Sequence, residues 1–265
     1  ITGHYQSSSE LRLTGPLAPA IDLLVGGYYF RESLAIENLS FDTLAGGAPN
    51  GRAVQDQDTR AYALFGSITA ALTPQLEVTG GLRLSHERKN FVAQRLLGPF
   101  GAPPLGPVER RLRDTNLSGD IAVRYDLGDG LDAYARYARG FRAPNAQGRI
   151  VFGDAVTVAD TETIDSFDVG LKGVLWDGRV RFGAAAFYYV TDDQQLTAVG
   201  GAGNFNQLLN ADQVRGHGFE LDLQLDPTPR VSLAVGLSLN NTRINDGDLE
   251  VGACGAPCTV LDPVN

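Results

Sequence analysis

Methionine is missing from all 265 residues of this chain. Ile1 opens it without the charged stretch and short apolar run of a secretory leader. We expect a processed chain or a piece of a longer one. Histidine occurs three times, at His4, His86 and His217, far apart and without an acidic cluster to complete a metal site. Each is read as a polar interior or loop residue, and no cofactor is expected. The only cysteines, Cys254 and Cys258, stand in "CGAPC" with no histidine nearby. That is a poor zinc site, so the expectation is a disulfide at a loop tip, in an oxidising compartment. No stretch reaches about 18 consecutive apolar residues, which excludes a transmembrane helix. It does not exclude transmembrane strands, which need about 9–11 residues with only alternate ones apolar. Positive charge is also short, at 22 Lys and Arg against 31 Asp and Glu. A net charge of −9 argues against nucleic acid as a partner. The glycine-rich "VGGAG" (Val199–Gly203) lacks the strand-to-helix setting of a phosphate loop.

What is abundant is glycine, at 32 residues, together with regularly placed turns. "PLAPA", "LTPQ", "LGDG", "WDG" and "DPTP" each supply the Pro, Gly or Asp that tight turns use. Strand-like runs flank every one. Around "DPTP", Phe219, Leu221, Leu223 and Leu225 alternate with Glu220, Asp222 and Gln224, and then Val231, Leu233, Val235 and Leu237 alternate with small residues. Period two with one apolar face means strands. The same reading along the chain predicts ten strands, at 8–15, 21–32, 59–72, 76–91, 114–126, 131–141, 162–175, 179–195, 213–225 and 230–244. Five hairpins close on the short turns. The other connections, near 33–58, 92–113, 142–161, 196–212 and from 245 to the end, are long and rich in Gly, Pro, Asn and Asp. Short and long connections therefore alternate along one undivided chain.

Strands of ten or more residues are about twice the usual length in a soluble sandwich. They fit a barrel in hydrocarbon, where closure alone satisfies every backbone group of a sheet. Short turns then lie on the periplasmic side and long loops outside. Tyr28, Phe30, Phe91, Tyr137, Phe141 and Tyr188 lie toward the long-loop ends, and Tyr125 and Trp176 toward the short-turn ends, so we expect two aromatic girdles.

Several motifs then resemble one family in the same order. "YARYARGFRAPN" (Tyr134–Asn145) is similar to the aromatic strand ending in an arginine–glycine–aromatic step of TonB-dependent outer-membrane receptors. "ETIDSFDVGLKG", "AAAFYYVTDDQQL" and "LNADQVRGHGFELDLQL" resemble the strands that follow it, and "SSELRLTG" and "LLVGGYYFRE" also fit. The resemblance covers most of the chain. It implies an all-β, antiparallel transmembrane β-barrel fragment, supplying about ten strands from the middle of a barrel of about 22 strands. Residues 1–265 would be a partial barrel domain, with the plug domain, the remaining strands and the TonB box outside it. It also implies a Gram-negative outer membrane, no covalent chemistry, and import of a nutrient, foremost a ferric siderophore. The partners so implied are outer-membrane lipid, the receptor's own plug domain and the TonB energy-transducing complex. A passive porin and a ten-stranded outer-membrane protease are the alternatives; the protease needs an Asp–His cluster at the outer rim that the scattered histidines do not supply.

Strand parity places Tyr134, Arg136 and Arg142 toward the lumen, and with them Arg83, Arg124 and Arg181. These are the candidates for contact with an anionic substrate or the plug. The competing reading pairs the arginines with Glu77, Asp120, Asp132, Asp168 and Glu220, or leaves them solvated.

Overall fold

The short turns organise the sheet. A computed structural model describes residues 2–43, 46–200 and 205–250. The strands are β1 (Gly3–Ala18), β2 (Ile21–Asp42), β3 (Ala48–Ala71), β4 (Leu76–Leu97), β5 (Leu105–Gly128), β6 (Leu131–Arg142), two short pieces β7 (Asn145–Gln147) and β8 (Thr157–Ala159), then β9 (Glu162–Leu175), β10 (Val180–Gly200), β11 (Phe205–Thr228) and β12 (Val231–Ile244). Ten of them form one sheet in the order β1-β2-β3-β4-β5-β6-β9-β10-β11-β12, each paired antiparallel with its neighbour. β7 and β8 make a separate ribbon. β1 and β12 are the two edges, so the sheet is unclosed.

The turns reverse the chain through left-handed backbone. Asp129 and Gly130 have φ of 52° and 75°, and Trp176, Asp177 and Gly178 have 55°, 55° and 82°. Paired positive φ gives the twist that flanking strands share. At Gly130 a Cβ would lie 2.4 Å from the Val174 carbonyl oxygen, so the turn has no room for a side chain there.

Residues paired directly across antiparallel strands share a face. Leu11, Gly27, Leu64, Leu84 and Leu117 form one such row across β1 to β5. Ala135, Val169, Ala186 and Phe219 form another across β6 to β11. This face is apolar and exposed: Leu64 keeps 71% of its surface and Leu82 63%. The opposite face carries Glu77, Arg124, Tyr134, Arg136, Asp168, Glu220 and Asp222 on the same register. The parity read from the sequence is the parity of the sheet.

The strands run further than the pattern predicts. Most of 33–58 and 92–113 is strand, and β10 and β11 extend to Gly200 and from Phe205. The excursions at this end are long because the hairpins themselves project. The reason lies in the pattern: above Tyr62 and His86 the apolar parity switches faces. Ala53, Phe91 and Ala93 are buried on the polar-wall side, while Asp56, Asp58, Arg60, Arg88 and Asn90 are exposed on the other. A search for one continuous alternation stops at that inversion.

The inversion also corrects the girdle. Tyr28 and Phe30 share the face of Arg83, and Phe91 is 4% exposed in a core cluster. On the apolar face at this height stand Tyr29 and Tyr62, with ring centroids 5.1 Å apart, and Tyr137 against Phe167 at 4.9 Å. Cys254 and Cys258 lie outside the described residues.

Candidate functional site

The polar wall is built from small residues that let long side chains lie flat. The Tyr134 ring rests over Gly170, with Lys172 Nζ 5.4 Å from its centroid. Around it the charges pair across strands. Arg124 reaches Asp132 at 3.0 Å and Arg136 reaches Asp120 at 3.1 Å. Among the described residues Arg83 meets no carboxylate; it donates to Ser85 Oγ at 3.1 Å and lies over the Tyr28 and Phe65 rings, 5.1 and 5.5 Å from their centroids. Cation–π contact of this kind holds a guanidinium without neutralising it.

The remaining two candidates lie at opposite ends. Arg181 sits near the "WDG" turn, in a cleft shared with Asp132, Lys172, Asp222 and Gln224. Arg142 ends β6 opposite Glu162 and lines a cleft with Gln55, Phe91 and Gln147. The six candidates thus share a face but not one pocket.

Sequence reasoning missed the segment 143–161, which follows Arg142. Instead of standing clear of the sheet, it folds across the polar wall and caps the loop end. Ile150, Val151 and Val156 are buried against Ala53, Phe91 and Ala93, with Leu105 and Val108 packed beside them. Gly148 lies directly on the Phe91 ring, where a Cβ would come within 2.3 Å of Cζ. Polar clamps hold it. Gln195 Nε2 donates to the carbonyls of Ala143 and Asp160, both at 2.9 Å, tying the two ends of the segment together. Lys89 Nζ donates to the Pro144 carbonyl at 3.0 Å.

Arg95 is the deepest of these groups. Its side chain is 2% exposed. The guanidinium donates to the carbonyls of Pro103, Ile150 and Gly153 at 3.0, 3.3 and 3.1 Å, and Nη2 meets Asp154 at 2.7 Å. A buried guanidinium needs this many acceptors to offset its lost hydration. The signal was present in the sequence: Lys89, Phe91, Ala93 and Arg95 alternate with Arg88, Asn90, Val92 and Gln94. It could not be read without knowing that a loop would cover the first set.

An exposed apolar belt on one face, a charged wall on the other and a capped loop end define a class: the wall of an antiparallel transmembrane β-barrel. The particular family follows from comparison. The family described as TonB dependent receptor-like, beta-barrel, matches residues 2–253, and the chain belongs to it. The pesticin receptor of Yersinia pestis is 26% identical over 194 residues, which are 72% of this chain and 27% of that protein. The ferric yersiniabactin uptake receptor of Yersinia pestis superposes with a TM-score of 0.77 at 20% identity, over 91% of this chain and 36% of that one. The copper transporter OprC superposes at 0.75, with 18% identity, over 91% and 38%. The chain therefore spans about a quarter to two fifths of the length of these relatives.

Proposed function

We propose that this chain is part of the barrel wall of a Gram-negative outer-membrane receptor that imports a ferric siderophore with energy delivered through TonB. The observation that carries this reading is the family match across 2–253, on a sheet whose apolar belt has the height of a bilayer. From Ile21 to Arg31, roughly ten residues at about 3.3 Å each, tilted by about 40°, rise about 25 Å. That is the thickness of an outer-membrane hydrocarbon band. The ferric yersiniabactin receptor among the structural relatives supports a ferric chelate as cargo.

In the complete receptor the polar wall faces the lumen and its plug. Arg124 and Arg136 are internally paired and set the wall's shape. Arg181, at the turn end, meets the plug. Arg142, beneath the cap 143–161, stands where an anionic chelate enters, and Arg83 stands between them. Uptake of radiolabelled ferric siderophores by cells with and without the full-length receptor tests the reading, with TonB intact and inactivated. We expect one siderophore's uptake to be lost in both defects. Receptor-dependent uptake that survives TonB loss would indicate a passive channel instead. Copper accumulation without siderophore uptake would replace the cargo while leaving the coupling.

A further inference from the structure

Four arginines stand in direct register on the apolar-belt side of the sheet. Arg31 on β2 pairs with Arg60 on β3, Arg60 with Arg88 on β4, and Arg88 with Arg113 on β5. All four are exposed. Like charges directly opposite on a sheet are destabilising, and this row carries the clash three times over. Among the described residues, no carboxylate forms an ion pair with any of the four. Arg88 donates to His86 Nε2 at 2.9 Å; Arg31, Arg60 and Arg113 make no side-chain hydrogen bond to any described residue. In a chain of net charge −9 this is a concentrated island of positive charge.

The height of the row identifies what it meets. One register step below it run Tyr29, Tyr62, His86 and Thr115. A second step down are Gly27, Leu64, Leu84 and Leu117. The order along each strand is therefore apolar, then aromatic or polar, then arginine. Aromatic side chains mark the level where hydrocarbon gives way to headgroups. The arginines stand immediately beyond it. Arg31, Arg60 and Arg88 line a common cleft with Tyr62, and Asp58 and Asn90 border it. Guanidinium forks match phosphate oxygens two at a time, and each is only weakly hydrated.

We propose that this arginine ladder binds the phosphate groups of an outer-leaflet lipid headgroup, which neutralises the row and fixes lipid against β2 to β5. The inference rests on the outer-membrane placement proposed above. It concerns the lipid-side face and makes no use of the transported cargo.

The test uses the full-length receptor, extracted from cells in mild detergent, with native mass spectrometry counting retained bisphosphorylated lipid A. Wild type is compared with R31Q/R60Q/R88Q/R113Q. We expect retention to fall by about tenfold or more in the variant, and dephosphorylated lipid A to be retained by neither protein. An Arg→Lys version of all four positions, which keeps the charge, is expected to retain most of the lipid. The smaller change R60Q/R88Q gives an intermediate loss and serves if the fourfold variant does not fold. Equal retention by wild type and the glutamine variants overturns the site. So does equal retention of the dephosphorylated lipid. Displacement of the lipid by excess inorganic phosphate would make this a free-phosphate site and overturn the lipid assignment. Cell fractionation separates the two readings: receptor recovered outside the outer membrane defeats the placement and the ladder together, whereas outer-membrane receptor with unchanged lipid retention defeats the ladder alone.

Discussion

The turn-end and loop-end portions of the same strands obey opposite patterns. On β4, Val78, Leu82 and Leu84 face one way near the turn, with Glu77, Thr79 and Arg83 behind them. Four to nine residues beyond Leu84, Arg88 and Asn90 have the side Leu84 had, and Phe91 and Ala93 are buried behind. Backbone geometry is continuous throughout. What changes is the surroundings. Near the turns the outward neighbour is hydrocarbon and the inward one is a polar lumen. Near the loops the outward neighbour is the headgroup layer and then water, and the inward one is the folded-in segment 143–161. A strand records the two media on its faces, and the register at which the pattern flips marks the membrane boundary.

Three kinds of substitution would break or sharpen that contrast. The largest effects are expected at the capped loop end. Phe91→Ala should cost the cap roughly 3–5 kcal/mol of local stability, because it opens a cavity under Gly148 and Ile150. Hydrogen exchange of 143–161 in the full receptor would read this as faster opening, with the barrel's resistance to heat unchanged. A cap whose protection does not depend on Phe91 is not held by this core.

Next comes the hydrocarbon face. Leu223 pairs with Phe182 and Val235 on the apolar side, while Asp222 pairs with Gly183 and Gly236 on the polar side. Leu223→Lys should cost roughly 2–4 kcal/mol near the bilayer midplane, and Asp222→Lys much less. Folding of the complete receptor into bilayers, followed by denaturant titration, compares them. Equal costs would reverse the assignment of faces.

The smallest effect separates two arginines of similar appearance in the sequence. Arg124 is 56% exposed beside Asp132, and its replacement by Gln should cost no more than about 1 kcal/mol. The same change at buried Arg95 strands three carbonyls and should cost roughly 3 kcal/mol, read as loss of protease resistance in 143–161. Similar sensitivity at the two sites would mean that burial does not divide the wall from the cap.

Much of the fold was legible because one medium leaves a simple record. Alternation in "GFELDLQL" and "RVSLAVGLSLN", bounded by "DPTP", needs nothing beyond its own residues to indicate a hairpin with an apolar face. The turn positions, strand order and lumen parity of Tyr134 and Arg136 follow from it. The projecting hairpins were less legible, since Asp56, Asp58 and Gln55 on β3 look like loop residues until their neighbours are known.

By itself, then, the sequence determined the ten-strand meander, its two faces and its family. These depend on short-range periodicity and local turn chemistry, which each segment carries within itself. Only the tertiary structure decided which arginines are paired, that 143–161 folds inward onto Phe91 and Arg95, and that Arg31, Arg60, Arg88 and Arg113 stand in one row. Those outcomes depend on register between strands up to 82 positions apart in the chain, from Arg31 to Arg113. No local pattern encodes that alignment, because it is set by the sum of every turn and pairing between the two.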